Sequence, residues 1–127
     1  MVDKTIGMIT IGQTRLQHLS DANECYVRGC ANPNDHKLFM MAEAFLRAFE
    51  STLAAGTESK RRILQKNEQI EKDKAEMVRK WEVKKDNLGY WEQKDAEYER
   101  DQIEATSLQK KINSFYEIGS DTGLFND

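Results

Sequence analysis

Residues 58–98, ESKRRILQKNEQIEKDKAEMVRKWEVKKDNLGYWEQKDAEY, decide the fold of this chain. The stretch contains no Pro and a single Gly, at position 89, so little in it interrupts a helix. One position recurs every seven residues and is apolar or amphipathic in seven of its eight members: Ile63, Ile70, Met77, Lys84, Trp91, Tyr98, Ala105 and Ile112. This period predicts a long, charged, coiled-coil-like helix over residues 57–118.

The companion position, four residues further on, is much less apolar. It holds Trp81, Leu88 and Tyr116, but the remaining members are Asn67, Lys74, Asp95, Gln102 and Gln109. A seam that is filled at one position only needs apolar surface from elsewhere. We therefore expect pairing with a protein partner, by self-association or heteromeric helix pairing, through Ile63, Ile70, Met77, Trp81, Leu88, Trp91, Tyr98, Leu108, Ile112 and Phe115.

Two features bear on whether this helix is continuous. Residues 58–85 hold ten Lys/Arg against six Asp/Glu, whereas residues 86–127 hold four against ten. That asymmetry favours antiparallel pairing, with a second chain or within a hairpin, and Asn87 with Gly89 could form the turn. The seven-residue phase survives across Gly89, however, and one Gly costs a helix only about 1 kcal/mol. We therefore predict a helix that is continuous or kinked near Gly89, with a helical hairpin as the alternative.

The flanking segments are shorter. Residues 1–12 alternate loosely and predict an extended arm. Residues 13–56 predict an N-terminal helical segment of two helices joined by a loop at 29–35, where Pro33 blocks helix continuation. Residues 119–127 predict a flexible tail. The predicted fold class is thus all-α.

The second of these helices, from about residue 35 to 55, is the most apolar part of the chain. Phe39, Phe45 and Phe49 lie among the residues that form its apolar face. Met40 and Met41 belong to the same run. They could indicate an adaptable binding groove, but in a stripe with three Phe we expect both of them in the core.

Few residues suggest chemistry. Cys25, Cys30, His18 and His36 are the only set that resembles metal ligands, but the C-x4-C spacing is wider than in the usual zinc knuckle. We expect Cys25 to be a small buried side chain and Cys30 a loop thiol. No nucleophile, base or phosphate-binding glycine loop can be nominated. The sequence predicts no catalytic, cofactor-binding or metal-binding residue, and hence a protein that is not an enzyme.

The basic stretch 60–85 raises nucleic-acid binding as an alternative. Acidic residues interleave with its cations, and the net charge of −3 over 127 residues disfavours that partner. No apolar run is long enough for a membrane span. The N-terminus lacks the basic start and continuous apolar run of a secretory signal, so a cytoplasmic location is the expectation, with signal-less export or incorporation in a particle as alternatives.

In layout, a short helical segment before a long charged coiled coil, the chain is similar to small helical subunits of secretion machines or virions. That layout implies a structural or assembly subunit that binds through its long amphipathic helix. A small chaperone or adaptor for a secreted or assembling client is the first alternative, and a nucleic-acid-binding regulator is the second.

Overall fold

The computed structural model describes residues 11–32 and 35–126, without the side chains of His36, Tyr90, Trp91 and Lys94. These residues form α-helices and no strand, as the sequence predicts. The helices are α1 (Ile11–Ala31), α2 (His36–Ser51), α3 (Glu58–Asp86) and α4 (Tyr90–Asp121).

Helices α3 and α4 form an antiparallel hairpin. Residues with higher numbers in α3 contact residues with lower numbers in α4. Lys74 pairs with Glu104, and Lys84 pairs with Glu99. The prediction of one continuous or kinked helix over residues 57–118 is therefore wrong, and the hairpin alternative describes the chain. Folding back lets each amphipathic arm bury its stripe against the other, which a single straight helix cannot do alone.

The turn between the two arms satisfies its own backbone groups. The Asn87 side-chain amide donates to the carbonyl oxygen of Val83 at 3.0 Å, and the Gly89 N–H donates to a carboxylate oxygen of Glu92 at 3.3 Å. The Gln93 amide donates to the carbonyl oxygen of Leu88 at 3.2 Å. Backbone groups at the ends of both helices thus form hydrogen bonds with nearby side chains. Because they do, ending the helix here costs little free energy.

The N-terminal helices also form a hairpin, with a shorter connection than the sequence predicts. α1 continues through Gly29, which is buried against the ring of Phe39, so the loop begins after Ala31. At the other end, Ile11 and Gly12 already belong to α1, and residues 1–10 of the predicted arm lie outside the described residues. The guanidinium of Arg15 donates to the hydroxyl and carbonyl oxygens of Thr52, which fastens the start of α1 to the end of α2.

Helix α4 is the centre of the molecule, because α1, α2 and α3 all pack against it. Phe49 of α2 stacks on Phe115 of α4 with ring centroids 5.4 Å apart. Burial of such aromatic pairs supplies much of the apolar stabilisation of a small domain. The core consists of Leu19, Ala22, Cys25, Ala42, Leu46, Phe49, Leu53, Ile63, Leu108, Ile112, Phe115 and Ile118.

The residues after α4 fold back onto this core. Leu124 and Phe125 are partly buried, and the Phe125 ring centroid lies 6.4 Å from those of Phe49 and Tyr116. The close approach of this ring requires a residue without a side chain at Gly119. Asp127, the last residue of the predicted tail, lies outside the described residues.

Candidate interaction surfaces

Half of the ten predicted contact residues are buried inside the chain. Ile63 and Ile70 of α3 and Leu108, Ile112 and Phe115 of α4 are each at most 4% exposed. Their apolar surface is buried within the chain itself. In this conformation they cannot form the predicted coiled-coil seam with a second helix.

The other five lie toward the turn of the α3–α4 hairpin. Trp81 and Leu88 are partly buried, while Met77 is 39% and Tyr98 61% exposed. The side chain of Trp91 lies outside the described residues. The structure thus leaves Met77 and Tyr98 as the most accessible members of the predicted set.

Trp81 holds the two arms together in this region. Its indole N–H donates to the carbonyl oxygen of Ala96 in α4. Lys85 Nζ lies 5.0 Å and Arg100 Cζ 5.8 Å from the centroid of the Trp81 ring, within range of cation–π attraction. Trp81, which the sequence predicts as a partner contact, therefore contacts its own chain.

Burial falls away toward the turn. Among the residues from Glu71 to Asp95 whose burial is described, none is fully buried. The first turns of α2 lie level with Asp101 and Glu104 of α4, where they line one groove together. About twelve residues of α4 extend past that level, or roughly 18 Å of helix. We call residues 77–101 the hairpin tip, a two-helix projection beyond the four-helix body.

One apolar stripe of α4 runs from the body onto the hairpin tip. Ile112 and Ala105 are 1% and 8% exposed, whereas Tyr98, seven residues earlier, is 61% exposed. Residues seven apart lie on nearly the same face of a helix, so the three side chains share one direction. The stripe that is buried on the body is therefore open on the hairpin tip.

A groove of about 340 Å³ lies where the body meets the hairpin tip. We call it the distal groove. Its lining combines apolar and acidic side chains: Phe39, Met40, Glu43, Asp101, Glu104 and Leu108.

The two methionines next to this groove differ from the sequence prediction. Met40 is 69% and Met41 48% exposed, so neither lies in the core. α1 and α4 cover only the opposite side of α2, where Ala42, Leu46 and Phe49 are buried. Two adjacent residues of a helix point about 100° apart, and hydrophobicity alone does not show which of them faces solvent.

Lys111 connects three helices behind the distal groove. Its ammonium bonds to Glu71 of α3 and lies 3.6 Å from a carboxylate oxygen of Glu43 of α2. Burial opposes the charge of Lys111, but the two carboxylates outweigh it and raise the pKa of the ammonium. The hydrogen bond from Lys111 lowers the pKa of Glu71. The site is thus held by a charge network with one cation between two anions.

Most cations of the basic arm are already neutralised. Arg62, Lys74 and Lys84 pair with carboxylates of α4. Arg61, Lys72 and Lys80 pair with acidic residues three or four positions away in α3. Six of the ten Lys and Arg residues in the stretch 58–85 thus form ion pairs with described residues of the chain.

The side chain of His36, one of the four residues that resemble metal ligands in the sequence, lies outside the described residues. Cys25 is buried and Cys30 exposed, both as free thiols, and Cys30 lies in α1 and not in a loop. Burial raises the pKa of the Cys25 thiol, which disfavours the reactive thiolate. Across residues 11–32 and 35–126 there is no group of three or more His, Cys, Asp or Glu arranged to hold a metal ion.

Comparison with known proteins gives no family assignment. No protein-family model matches the sequence, and neither the curated proteins nor the solved structures include a match. Within the described residues, no helix has the length and apolar character needed to cross a membrane.

Proposed function

We propose that this chain is a non-enzymatic helical interaction protein that binds a protein partner on its hairpin tip. The observation that carries the proposal is the α4 stripe, which is buried at Ile112 and Ala105 and open at Tyr98. The four-helix body ends partway along the α3–α4 hairpin. The hairpin tip beyond it therefore has a surface that no other described helix covers. A partner helix placed there would continue the layer that α1 and α2 form.

The energetics of the hairpin tip favour such a partner. A two-helix projection buries less apolar surface per residue than the body does, so it gains more from additional cover. Met77 and Tyr98 together offer an unbranched thioether and a rigid amphipathic ring, residue types that are enriched in protein interfaces.

The closed hairpin supports an adaptor or small chaperone more than a self-assembling rod. Assembly through residues 58–118 would have to open the hairpin and expose Ile63, Ile70 and Ile112, which are now buried. Binding on the hairpin tip needs no such opening. A client that is secreted or assembled into a particle remains part of the proposal, as does a cytoplasmic location.

Photo-crosslinking tests the proposal. A photoreactive benzoyl-phenylalanine replaces Tyr98 in the cells that normally produce the protein. A matched variant carries it at Asn113, an exposed residue of α4 that lies fifteen positions later, away from the hairpin tip. We expect one discrete protein to be captured from position 98 and not from position 113. Equal capture at the two positions, or none at 98, would contradict the proposal.

Light scattering of the purified chain separates the adaptor from the rod. An adaptor stays at the monomer mass of 14.7 kDa over a wide concentration range. A concentration-dependent mass that persists in a Tyr98→Asp variant would favour a structural subunit that assembles through another surface.

A further inference from the structure

We infer that the distal groove binds a basic amphipathic helix, with a cation of the ligand at Asp101 and apolar side chains against Phe39 and Met40. This inference rests on the proposed function, because it gives the chemistry of the partner that the hairpin tip would bind.

The apolar part of the groove is built to accept side chains of the ligand. Leu108 is 1% exposed and belongs to the core, while Phe39 is partly buried and packs beside it. Met40 stands at the edge with 69% of its surface exposed. An unbranched thioether adapts its shape to different apolar ligands. The groove therefore offers a fixed floor and one adaptable wall.

Two of the three carboxylates that line the groove already have a cation within the chain. A carboxylate oxygen of Glu104 lies 3.4 Å from Lys74 Nζ, and one of Glu43 lies 3.6 Å from Lys111 Nζ. Asp101 is partly buried and forms no ion pair with the part of the chain that the structure describes. A partly buried carboxylate without a counter-ion attracts a Lys or Arg of a ligand more strongly than a solvated one does.

The charge of the surroundings disfavours a second copy as the occupant. A symmetric contact would place this acidic groove against its own counterpart, and like charges oppose such pairing. The basic arm of a second copy offers few free cations, because most of them pair within their own chain. A separate basic segment meets neither obstacle.

The geometry favours a short helix. The hairpin tip extends about 18 Å past the body, a length that a helix of about twelve residues matches. Such a ligand would carry apolar residues at positions i, i+3 or i+4, and i+7 for the groove and Tyr98. Lys or Arg beside these positions would reach Asp101.

Fluorescence anisotropy with the full-length protein tests the inference. The probe is a labelled fourteen-residue amphipathic helix of Leu, Ala and Lys, and its counterpart carries Glu in place of Lys. We expect the basic probe to bind with a dissociation constant in the micromolar range and the acidic one at least tenfold more weakly. Asp101→Asn should weaken the basic probe about fivefold, while Glu117→Gln, at an exposed position across the hairpin, should leave it unchanged.

The two methionines give a matched apolar control. Met40→Gln should weaken binding about fivefold, whereas Met41→Gln, which alters an adjacent exposed residue outside the groove, should not. Equal binding of the two probes would overturn the inference, as would equal effects of Asp101→Asn and Glu117→Gln. Displacement of the probe by self-association of the protein would also overturn it, because the groove would then belong to a second copy.

The two proposals fail in different ways. Capture of a discrete protein from position 98 without preference for the basic probe would leave the hairpin tip as the binding surface and remove the basic helix. Loss of crosslinking at position 98 would remove the proposed function whatever the probe does.

Discussion

The indole N–H of Trp81 in α3 donates to the carbonyl oxygen of Ala96 in α4, fifteen positions later in the chain. This bond spans the hairpin in its least buried section. It shows that an aromatic residue on an amphipathic helix with few apolar residues can contact its own chain and need no partner.

Trp81→Phe should loosen the hairpin tip alone. The change keeps an aromatic ring and removes the donor, at a cost of about 1 kcal/mol. Hydrogen exchange of amides 77–101 should accelerate about fivefold, while that of residues 108–118 stays unchanged. Uniform acceleration along α4 would mean that the hairpin tip and body open as one unit.

Lys111→Met should destabilise the fold by about 2 kcal/mol at pH 7. The substitution leaves the carboxylates of Glu43 and Glu71 beside a half-buried site without their cation. Lys110→Met, at the exposed neighbouring position, should change the free energy of unfolding by less than about 0.5 kcal/mol. Chemical denaturation measures both variants, and adding Glu71→Gln should recover part of the loss.

The Lys111 effect should also depend on pH. The pKa of Glu71 is lowered from 4.5, so the stabilisation by this pair is present above pH 4.5 and is lost as pH falls through the lower folded value. The pKa of Lys111 is raised from 10.5, so the stabilisation is lost again only as pH rises through the higher folded value. The difference between wild type and Lys111→Met should therefore be largest between these limits and shrink in acid. A difference that stays constant down to pH 3 would rule out the charge network as its cause.

Gly119→Ala should change sign with the residue at position 125. In the wild type the added methyl group would meet the ring of Phe125, and we expect a loss of about 1–3 kcal/mol. In a Phe125→Ala background the same change should be neutral or stabilising by about 0.5–1 kcal/mol, because Ala suits a helix better than Gly. Thermal unfolding of the four chains gives this cycle. Equal losses in the two backgrounds would show that Phe125 does not pack there.

Gly89→Ser should be tolerated and Gly56→Ser should not. Gly89 has a φ of −75° and open space around its α-carbon, and it lies at the N-cap of α4, where Ser is favoured. Gly56 has a φ of +81°, a conformation that other residues adopt at a cost. We expect a gain of up to about 0.5 kcal/mol for the first and a loss of about 1 kcal/mol for the second, measured by urea denaturation. A larger loss at Gly89 than at Gly56 would contradict the turn geometry.

The sequence carried enough information for the all-α class and for the antiparallel pairing of a basic and an acidic arm. The error lay in the seven-residue phase. That phase runs unbroken past Gly89, yet its members lie on two separate helices. Ile63 and Ile70 are buried on α3, whereas Ala105 and Ile112 are buried on α4. A repeat can persist through a turn, so its continuity is no evidence for a continuous helix.

The candidate site was harder to predict. Asp101 looks like every other carboxylate of α4, and Met40 looks like the apolar residues around it. Their exposure depends on where the N-terminal hairpin stops along α4, which is set by tertiary packing and by the short connection after Ala31. Tyr98, Met77 and Leu108 were identified in advance, because all three belong to the partner-binding set predicted for the long helix.

The distance between spin labels at positions 68 and 110 tests the hairpin most directly. Glu68 and Lys110 are exposed, and the labels are placed in a background with Cys25→Ala and Cys30→Ser, diluted with unlabelled protein so that only intramolecular pairs contribute. Antiparallel helices whose axes lie about 10 Å apart place the labels within about 25 Å of each other. A continuous helix places them about 63 Å apart. A single short distance supports the closed hairpin, and a distance near 60 Å would contradict it.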